Sequence, residues 1–493
     1  MNWLEKSSQG ELTKNILTEN SVQDKVSYWN NLFNTGSRIN ELITFISKQV
    51  IGRKEIIKQS FFAIMTGEHQ IIFSRTGMAK TLLVQQIFSS FADTEIYQKQ
   101  LTKDTMPDNI FGALDIDQMK SGKMKHNLEG SIVLADFAFL DEIFDANDML
   151  LRSLLSLLNE KKFVNGQQIV DSKLNTLIAA SNYVRMSEIL EAVVDRFCYK
   201  SYIPENKDLY YQMSIDHVYQ KNIGQIVEPD RKISLEKLLE LKKAIKSSEV
   251  IIPRYILFLK NYILRQYIHE IRSSDRGLDN YTISDRTTAK VQNLLRASAI
   301  LDGRITVNES DLGNLPYLIC WLGKEEEVAL LKNLINSTIH YFRDDKKALI
   351  TFFKLFNIFK MIQCPAHRGE SVEDLNLICI LDEIERSLKG VRFNLLEKLK
   401  NFKKLLKNFT NHDNETRQSE LFLEITDLLA EMVYRKESLE LINGFKADIQ
   451  SFFKPQKIYL SSELLTENIF EVMNQQNLLS GTGTDASLVL GQF

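Results

Sequence analysis

The stretch FSRTGMAKT, residues 73–81, contains most of a phosphate-binding loop. Such loops follow the pattern G-x-x-x-x-G-K-[ST], in which backbone N–H groups surround phosphates, the lysine contacts them and the last residue serves Mg²⁺. Lys80 and Thr81 are present, whereas Ser74 and Ala79 replace the two glycines of the pattern. Taken alone, the stretch is compatible with a working nucleotide site, a decayed one or a chance similarity.

Nucleotide hydrolysis also needs a carboxylate that holds the metal, a group that polarises water, a γ-phosphate sensor and a cation that neutralises the transition state. The run FAFLDEIF, residues 137–144, predicts an apolar strand that ends in Asp141 and Glu142. The carboxyl end of a strand lies at the edge of the sheet where ligands bind in open α/β folds. We therefore predict that Asp141 holds Mg²⁺, directly or through water, and that Glu142 polarises the attacking water.

Three further polar residues are candidates for the sensor and the cation. Asn182 ends the buried run LNTLIAASN, where an amide contacts a γ-phosphate or, alternatively, satisfies backbone groups of a loop. Arg196 follows the acidic run EAVVD. An isolated Asp-Arg pair of this kind is usually a surface ion pair. Ser284 or Asp285 is a predicted helix N-cap, with Arg286 in the first turn. Because a cation there opposes the helix dipole, Arg286 is expected to face an external anion.

These residues need a scaffold that brings them together. Between about residues 38 and 205, apolar strand-like runs alternate with amphipathic helical runs. This alternation predicts a parallel sheet covered by helices on both faces. The run HQIIFS predicts the strand that precedes the phosphate loop, and EKKFVNGQQIV predicts a hairpin with Asn165 and Gly166 in its turn.

The rest of the chain is predicted to be helical. The predicted division is an N-terminal arm, an α/β domain, a first helical domain and a second helical region: residues 1–37, 38–205, 206–335 and 336–493. Within the last region, an apolar seam in LLEKLKNFKKLLKNF and a second seam predict an antiparallel helical hairpin. The second seam consists of Leu421, Ile425, Leu428 and Met432. The C-terminal tail, residues 480–493, is predicted to be disordered or a short docking peptide.

Bulk composition restricts the class of protein. The chain has 493 residues, 44% hydrophobic and 25% charged, with a net charge of -3. These values are typical of a globular protein with several domains, and the charge gives no general attraction to nucleic acid or membranes. The first residues lack the pattern of a secretory signal, no apolar run is long enough to span a bilayer, and the four cysteines are scattered. We therefore predict a cytoplasmic protein.

In chain order, SRTGMAKT, FLDEIF, AASN, AVVDRF and SDRT resemble the motifs of MoxR-type AAA+ ATPases, and within them the RavA-like branch. Three longer stretches support the resemblance: DNIFGALDIDQMKSG (108–122), LLNEKKFVNG (157–166) and the lid-like ISDRTTAKVQNLLRASAILDGR (283–304). The resemblance spans about residues 38–335. It implies a three-layer α/β AAA+ core, an all-α lid at 206–335 and ATP with Mg²⁺ as cofactors, while the C-terminal region is predicted all-α from its own pattern.

The resemblance also implies roles for individual residues. It assigns nucleotide binding to a set that flanks the adenine and surrounds the phosphates: Val50, Ile51, Gly52, Ser74, Arg75, Thr76, Gly77, Met78, Ala79, Lys80 and Thr81. Thr81 and Asp141 would bind the metal. Glu142 would activate water, and Asn182 would be the first sensor. Arg196 would be an arginine finger that reaches the nucleotide of a neighbouring subunit, and Arg286 would be the second sensor.

An arginine finger implies a homo-oligomeric ring, usually a hexamer. The segments 112–133 and 160–170 resemble the inserts that face the pore of such rings, and family members remodel protein clients, often with a partner that has a von Willebrand factor A domain. One alternative is a scaffold ring with little hydrolysis, because Ser74 and Arg75 replace the usual Gly-Pro. If the first position of the phosphate loop needs positive φ, a side chain there would cost about 1–2 kcal/mol. The other is a nucleic-acid motor, for which the cations of the first insert are candidates: Lys120, Lys123 and Lys125.

The C-terminal third departs from the family pattern. RavA-like proteins usually have a small β-rich module there, whereas this sequence predicts only helices. The family's partners are therefore transferred to this chain only as expectations.

Overall fold

The computed structural model describes most of the chain. The described residues are 19–120, 125–165, 168–183, 188–205, 208–222, 225–274, 281–363, 381–382, 386, 393–406 and 413–453. Lys123, the turn residue Gly166 and the predicted tail 480–493 lie outside these ranges.

Ten strands occur in the described residues. In chain order they are β1 (Gln70–Ser74), β2 (Phe91–Ala92), β3 (Ile96–Gln100), β4 (Phe137–Asp141), β5 (Lys162–Asn165), β6 (Gln168–Asp171), β7 (Thr176–Ser181), β8 (Tyr199–Ile203), β9 (Ile233–Ser234) and β10 (Trp321–Leu322). Six of them form one sheet in the order β10-β8-β1-β7-β4-β3. Every pairing in this sheet is parallel, which confirms the predicted parallel α/β core.

The helices lie on both faces of this sheet and after it. They are α1 (Glu19–Gln49), α2 (Lys54–Thr66), α3 (Lys80–Phe88), α4 (Asp108–Phe111), α5 (Ile116–Lys120), α6 (Asp148–Glu160), α7 (Glu188–Arg196), α8 (Leu209–Asn222), α9 (Leu235–Lys246), α10 (Arg254–Ser273), α11 (Asp285–Leu301), α12 (Pro316–Ile319), α13 (Glu325–Tyr341), α14 (Lys346–Gln363), α15 (Phe393–Leu406), α16 (Asp413–Met432) and α17 (Lys436–Phe453). The predicted boundary at residue 37 falls inside α1, and the one at residue 335 falls inside α13.

Alternation along the strands divides the core into two layers. Successive side chains of a strand point to opposite faces of its sheet. Ile72 of β1 accordingly packs in a cluster with residues of α1 and α2, whereas Ile71 and Phe73 pack in a second cluster with residues of α6. All five residues of β1 are buried, because helices cover the sheet on both sides.

The predicted hairpin at 160–170 is present as β5 and β6, which pair antiparallel. The register places Asn165 opposite Gln168, so Asn165 belongs to the strand and its predicted turn position is wrong. The hairpin contacts the predicted insert that precedes it. The His126 backbone N–H donates to Gln168 Oε1 at 2.7 Å, and Gln168 Nε2 donates to the His126 carbonyl at 3.1 Å.

The C-terminal helices form a core of their own. Phe359 of α14 lies 5.6 Å from Phe422 and 5.2 Å from Phe445, measured between ring centroids. Helices α15 and α16 pack together, as the hairpin prediction requires. Among the described side chains of α16, the fully buried apolar ones are Phe422, Ile425 and Leu429, so its apolar buried face is rotated by about one residue from the predicted seam. No described helix is long and apolar enough to cross a membrane.

Candidate nucleotide-binding site

The phosphate loop connects β1 to α3. Ser74 is the last residue of β1, and it is buried. Its Oγ donates to the Arg75 carbonyl at 3.0 Å. Positive φ angles occur instead at Gly77, 80°, and at Ala79, 56°. Ser74 therefore lacks the strain of a side chain at positive φ. The loop residue that has a side chain at positive φ is Ala79, directly before Lys80.

The residues predicted to contact the γ-phosphate converge on one another. Lys80 is 7% exposed. Its Nζ donates to Asn182 Oδ1 and, at 3.5 Å, to the Ser74 carbonyl. Asn182 in turn donates from Nδ2 to Glu142 Oε1, and from its backbone N–H to Glu142 Oε2 at 3.3 Å. The contact forms because β7, which precedes Asn182, pairs with β1 on one side and with β4 on the other.

The electrostatics of Glu142 suit a group that activates water. Burial and the adjacent Asp141 carboxylate raise the pKa of Glu142, while Lys80 acts in the opposite direction. The Glu142 backbone has a φ of 55°, and its N–H donates to Asp141 Oδ1 at 3.0 Å. A carboxylate with a raised pKa accepts a proton more readily, and such shifts are common among catalytic acids and bases.

A cavity of about 510 Å³ opens beside the loop. Its lining includes Val50 and Ile51, as predicted for the adenine side, together with Ala79 of the loop. Helix α8 closes another side with a tyrosine that our sequence analysis missed, Tyr211. The volume is in the range of small-molecule sites, roughly 300–1,000 Å³.

Tyr211 is held against the segment that precedes α2. Its hydroxyl donates to the Ile51 carbonyl at 3.5 Å, and the Arg53 guanidinium lies 5.8 Å from its ring centroid. Gly52 has a φ of 71°, and a Cβ there would lie 2.5 Å from Tyr211 Cε2. Gly52 therefore permits the tyrosine to lie against the backbone. Glu205, also missed, forms an ion pair with Arg75 at the cavity wall. No sequence signal distinguishes these two residues, because they reach the cavity only through tertiary packing.

The remaining loop residues and the acids at the sheet edge fit a nucleotide with Mg²⁺. Thr76 is exposed, and Met78 packs against the larger core. Lys80 has two neutral oxygen partners, and an anionic phosphate is a stronger partner for a mostly buried ammonium group. Thr81 is the second residue of α3 and Asp141 ends β4, so both place oxygen atoms at the carboxyl edge. Mg²⁺ usually combines one or two such protein oxygens with phosphates and water.

Two predicted site residues lie at the other edge of the sheet. Arg196 ends α7 just before β8 begins and pairs with Asp195 at 2.7 Å. Its buried Nε atom has no hydrogen-bond partner among the described residues. Arg286 follows the N-cap Ser284, which confirms the predicted cap, and donates to Asn159 Oδ1 at 3.0 Å.

The distance between the two edges separates these arginines from the phosphate loop. Lys161, two residues after Asn159, donates to the carbonyl of Gly67, which precedes β1. Since β1 has 5 residues, the amino and carboxyl edges are about 16 Å apart. The structure thus brings together Lys80, Glu142 and Asn182 but does not bring Arg286 to the phosphate loop of its own chain.

A parallel sheet with the phosphate loop on a central strand, followed by a helical lid, is the architecture of the AAA+ ATPases, and this chain has it. Comparison with protein families narrows the class. Residues 37–242 match the model for the "MoxR domain in the MoxR-vWA-beta-propeller ternary systems", and residues 257–334 match that of the "AAA lid domain". The chain belongs to the MoxR-type AAA+ ATPases. The RavA-like branch within this family stays a prediction.

Individual relatives agree with this assignment. An uncharacterised protein of Methanocaldococcus jannaschii is 26% identical over 360 residues, which cover 70% of this chain and 87% of the relative. Chaperone MoxR1 of Mycobacterium tuberculosis is 22% identical over 187 residues, 36% of this chain and 48% of that protein. A candidate ATPase from Cytophaga hutchinsonii, solved by crystallography, has a TM-score of 0.50 at 21% identity and covers 65% of this chain and 97% of its own. This last similarity concerns the fold alone.

Proposed function

We propose that this chain is an ATP-hydrolysing ring motor that remodels a protein partner. The observation that supports it best is the convergence of Lys80, Asn182 and Glu142 at the carboxyl edge of the sheet. A scaffold ring with little hydrolysis was suggested by Ser74, and this residue lies in unstrained strand backbone. The strain argument for the scaffold therefore does not apply at Ser74.

In this proposal each of the three residues has one task. Lys80 exchanges its neutral partners for phosphate oxygens. Glu142 orients the attacking water and accepts its proton, which the raised pKa favours. Asn182 positions the Glu142 carboxylate and contacts the terminal phosphate. When bound, Mg²⁺ would neutralise charge on the phosphate oxygens, with Thr81 and Asp141 as its protein ligands.

The position of Arg196 supports a ring. The residue lies at the amino edge, away from the phosphate loop of its own chain, and its buried Nε has no partner among the described residues. A neighbouring copy that presents its carboxyl edge would bring its nucleotide to this guanidinium. Arginine fingers supplied in this way contribute roughly 10³–10⁵ in rate. Arg286 at the same edge would contact the same neighbour, and a hexamer is the expected ring.

The two inserts support contact with a protein client. They expose apolar side chains: Ile116, Met119, Val164 and Ile169 are between 48% and 67% exposed. Exposed apolar groups of this kind are typical of protein-binding surfaces, and methionine adapts to varied partners. Against nucleic acid, Lys120 pairs with Asp117 at 3.3 Å. The description of the family model supports a partner with a von Willebrand factor A domain, and we assign its binding to residues 336–493.

The test is complementation between two inactive variants. Lys80→Ala should lose nucleotide binding, and Arg196→Ala should bind ATP but hydrolyse almost none. When the two are mixed, some sites combine an intact Lys80 with an intact Arg196 from the neighbour, so turnover should return. Arg152→Ala, which changes an exposed arginine of α6, is the control and should hydrolyse ATP normally.

Four outcomes would contradict the proposal. Full activity of Arg196→Ala alone would exclude the finger, and the absence of recovery in the mixture would exclude catalysis between subunits. If the unmodified chain bound ATP without turnover at high concentration, the scaffold interpretation would replace the motor. A steep salt dependence of DNA binding would favour the nucleic-acid motor instead.

A further inference from the structure

Four lysines lie together at the amino edge of the central sheet, far from the phosphate loop. This amino-edge lysine cluster consists of Lys161, Lys242, Lys246 and Lys290. Lys161 Nζ donates to the Gly67 carbonyl at 3.0 Å. Lys242 lies against the same glycine, since a Cβ added to Gly67 would be 2.5 Å from Lys242 Cε and 2.9 Å from its Nζ. Two ammonium groups therefore contact one residue.

The cluster contains little negative charge. Lys290 pairs with Glu68 at 2.6 Å and contacts Cys198 Sγ at 3.1 Å. Lys242 has a neutral partner, Asn175 Oδ1, at 2.7 Å. Within the described ranges, no ion pair involves the other three lysines of the cluster. Among the described residues, one carboxylate, Glu68, thus pairs with this cluster of four lysines.

Titration behaviour agrees with this imbalance. Burial and then repulsion from Lys161 and Lys246 lower the pKa of Lys242 to about 7, against the attraction of Glu68. Burial and then Lys246 lower the pKa of Lys161 to about 8, with Lys290 acting in the same direction and Glu68 and Cys198 opposing it.

The neighbouring histidine adds no charge to the cluster. Burial and the repulsion of nearby lysines hold the pKa of His69 well below its ordinary value, and its Nδ1 accepts a hydrogen bond from the Leu177 N–H at 3.0 Å. The surface that faces the lysines therefore contains Glu68 as its carboxylate, Cys198 as a thiol and His69 in its neutral form.

We propose that the amino-edge lysine cluster binds a multiply charged phosphate anion. Its ammonium groups come from the end of α6, from α9 and from α11, so they surround a bound group from several directions. An anion there would relieve the repulsion among these lysines, of which Lys246 is exposed and the other three are half-buried. Lysine is a common point-charge ligand of phosphate. Nothing in the nucleotide site at the opposite edge uses these residues.

The phosphate has two possible sources. One is a free phosphate compound. The other is the nucleotide of an adjoining copy, since Lys290 is one helical turn after Arg286 and contacts Cys198, two residues after Arg196. Only the second source rests on the proposed ring, so a failure of the ring would leave the first source testable.

Calorimetry on the full chain tests the free source. Inorganic pyrophosphate is titrated into Lys80→Ala, which removes the phosphate loop as a competing site. Lys242→Met added to this background should weaken binding by at least about tenfold, and Lys242→Arg should retain it. Lys243→Met changes the exposed lysine beside it on α9 and should leave affinity unchanged. Binding at pH 7.5 should take up protons, because the anion raises the depressed pKa values; two buffers with different ionisation enthalpies measure this uptake.

The second source is tested with Lys80 intact. If pyrophosphate does not bind but Lys242→Met weakens ATP-dependent assembly by about tenfold and Lys243→Met does not, the nucleotide of an adjoining copy is the ligand. Equal effects of Lys242→Met and Lys243→Met in both assays would overturn the proposal, as would pyrophosphate binding without proton uptake. Selective binding of an acidic peptide without pyrophosphate would also overturn it. Thermal melting of each variant checks the fold, and Lys242→Met should melt no lower than the unmodified chain, because it removes a partly buried charge.

Discussion

Restoring the two glycines of the phosphate loop should change stability in opposite directions. Ser74→Gly acts on a buried strand residue, and glycine in a strand costs about 0.5–1 kcal/mol. It also removes the Oγ hydrogen bond to the Arg75 carbonyl, worth about 0.5–1.5 kcal/mol. Ala79→Gly relieves a φ of 56°, a conformation that costs alanine about 1–2 kcal/mol. Glycine also increases the conformational entropy of the unfolded chain, which lowers stability by about 0.4–1 kcal/mol. We therefore expect a loss of about 1–2.5 kcal/mol at Ser74 and a gain of up to about 1.5 kcal/mol at Ala79.

Urea unfolding followed by tryptophan fluorescence measures this difference. Trp321 lies 5.2 Å from Phe73 of β1, between ring centroids, so its emission reports on the sheet that holds the loop. Thr76→Gly is the control, because Thr76 is exposed and its φ is not positive. Its midpoint should move less than that of Ser74→Gly. ATP affinity of Ala79→Gly should change by less than about threefold, since the backbone already has the conformation that glycine prefers.

The opposite order of the two variants would refute this account of the loop. If Ser74→Gly stabilised the protein and Ala79→Gly destabilised it by more than about 1 kcal/mol, the first loop position would be the left-handed one. Ser74 would then be the departure expected to slow turnover, a question that the sequence alone leaves open.

Three further predictions concern the catalytic acid, the cavity wall and the sheet edge. Glu142→Gln should bind ATP yet lower turnover by about 10³ or more in a steady-state assay. Because the pKa of Glu142 is raised in the folded state, the wild-type protein loses stability as pH rises from the ordinary glutamate pKa through the folded value. Thermal melts should therefore show the Gln variant more stable than wild type at pH 7 but not at pH 4. Tyr211→Ala should weaken ATP binding by about tenfold in calorimetry, whereas Tyr210→Ala, 80% exposed on the same helix, should not. Gly323→Ala should destabilise the protein by more than about 3 kcal/mol in urea unfolding, because its Cβ would lie 1.9 Å from the Tyr202 carbonyl oxygen; a neutral effect would show that β10 does not pair as described.

Local order in the sequence was sufficient for much of the site. An apolar strand followed by acids predicts Asp141 and Glu142 at the carboxyl edge, because a strand end and an adjacent polar residue are neighbours in the chain. The same reasoning placed Asn182 after β7 and a cap at Ser284. It also predicted a parallel sheet, since alternating strands and helices allow few other arrangements.

Only the tertiary structure decided which distant residues contact one another. Lys80 and Asn182 are 102 residues apart, and they touch because β1 and β7 pair, a choice that no local pattern contains. Packing between distant segments likewise brings Tyr211 to the cavity and Lys242 to Lys161 at Gly67. The sequence by itself determined the kinds of groups and their strand ends, since these depend on neighbours along the chain; strand order, the φ of Ala79 and the convergence of cations depend on packing between distant segments.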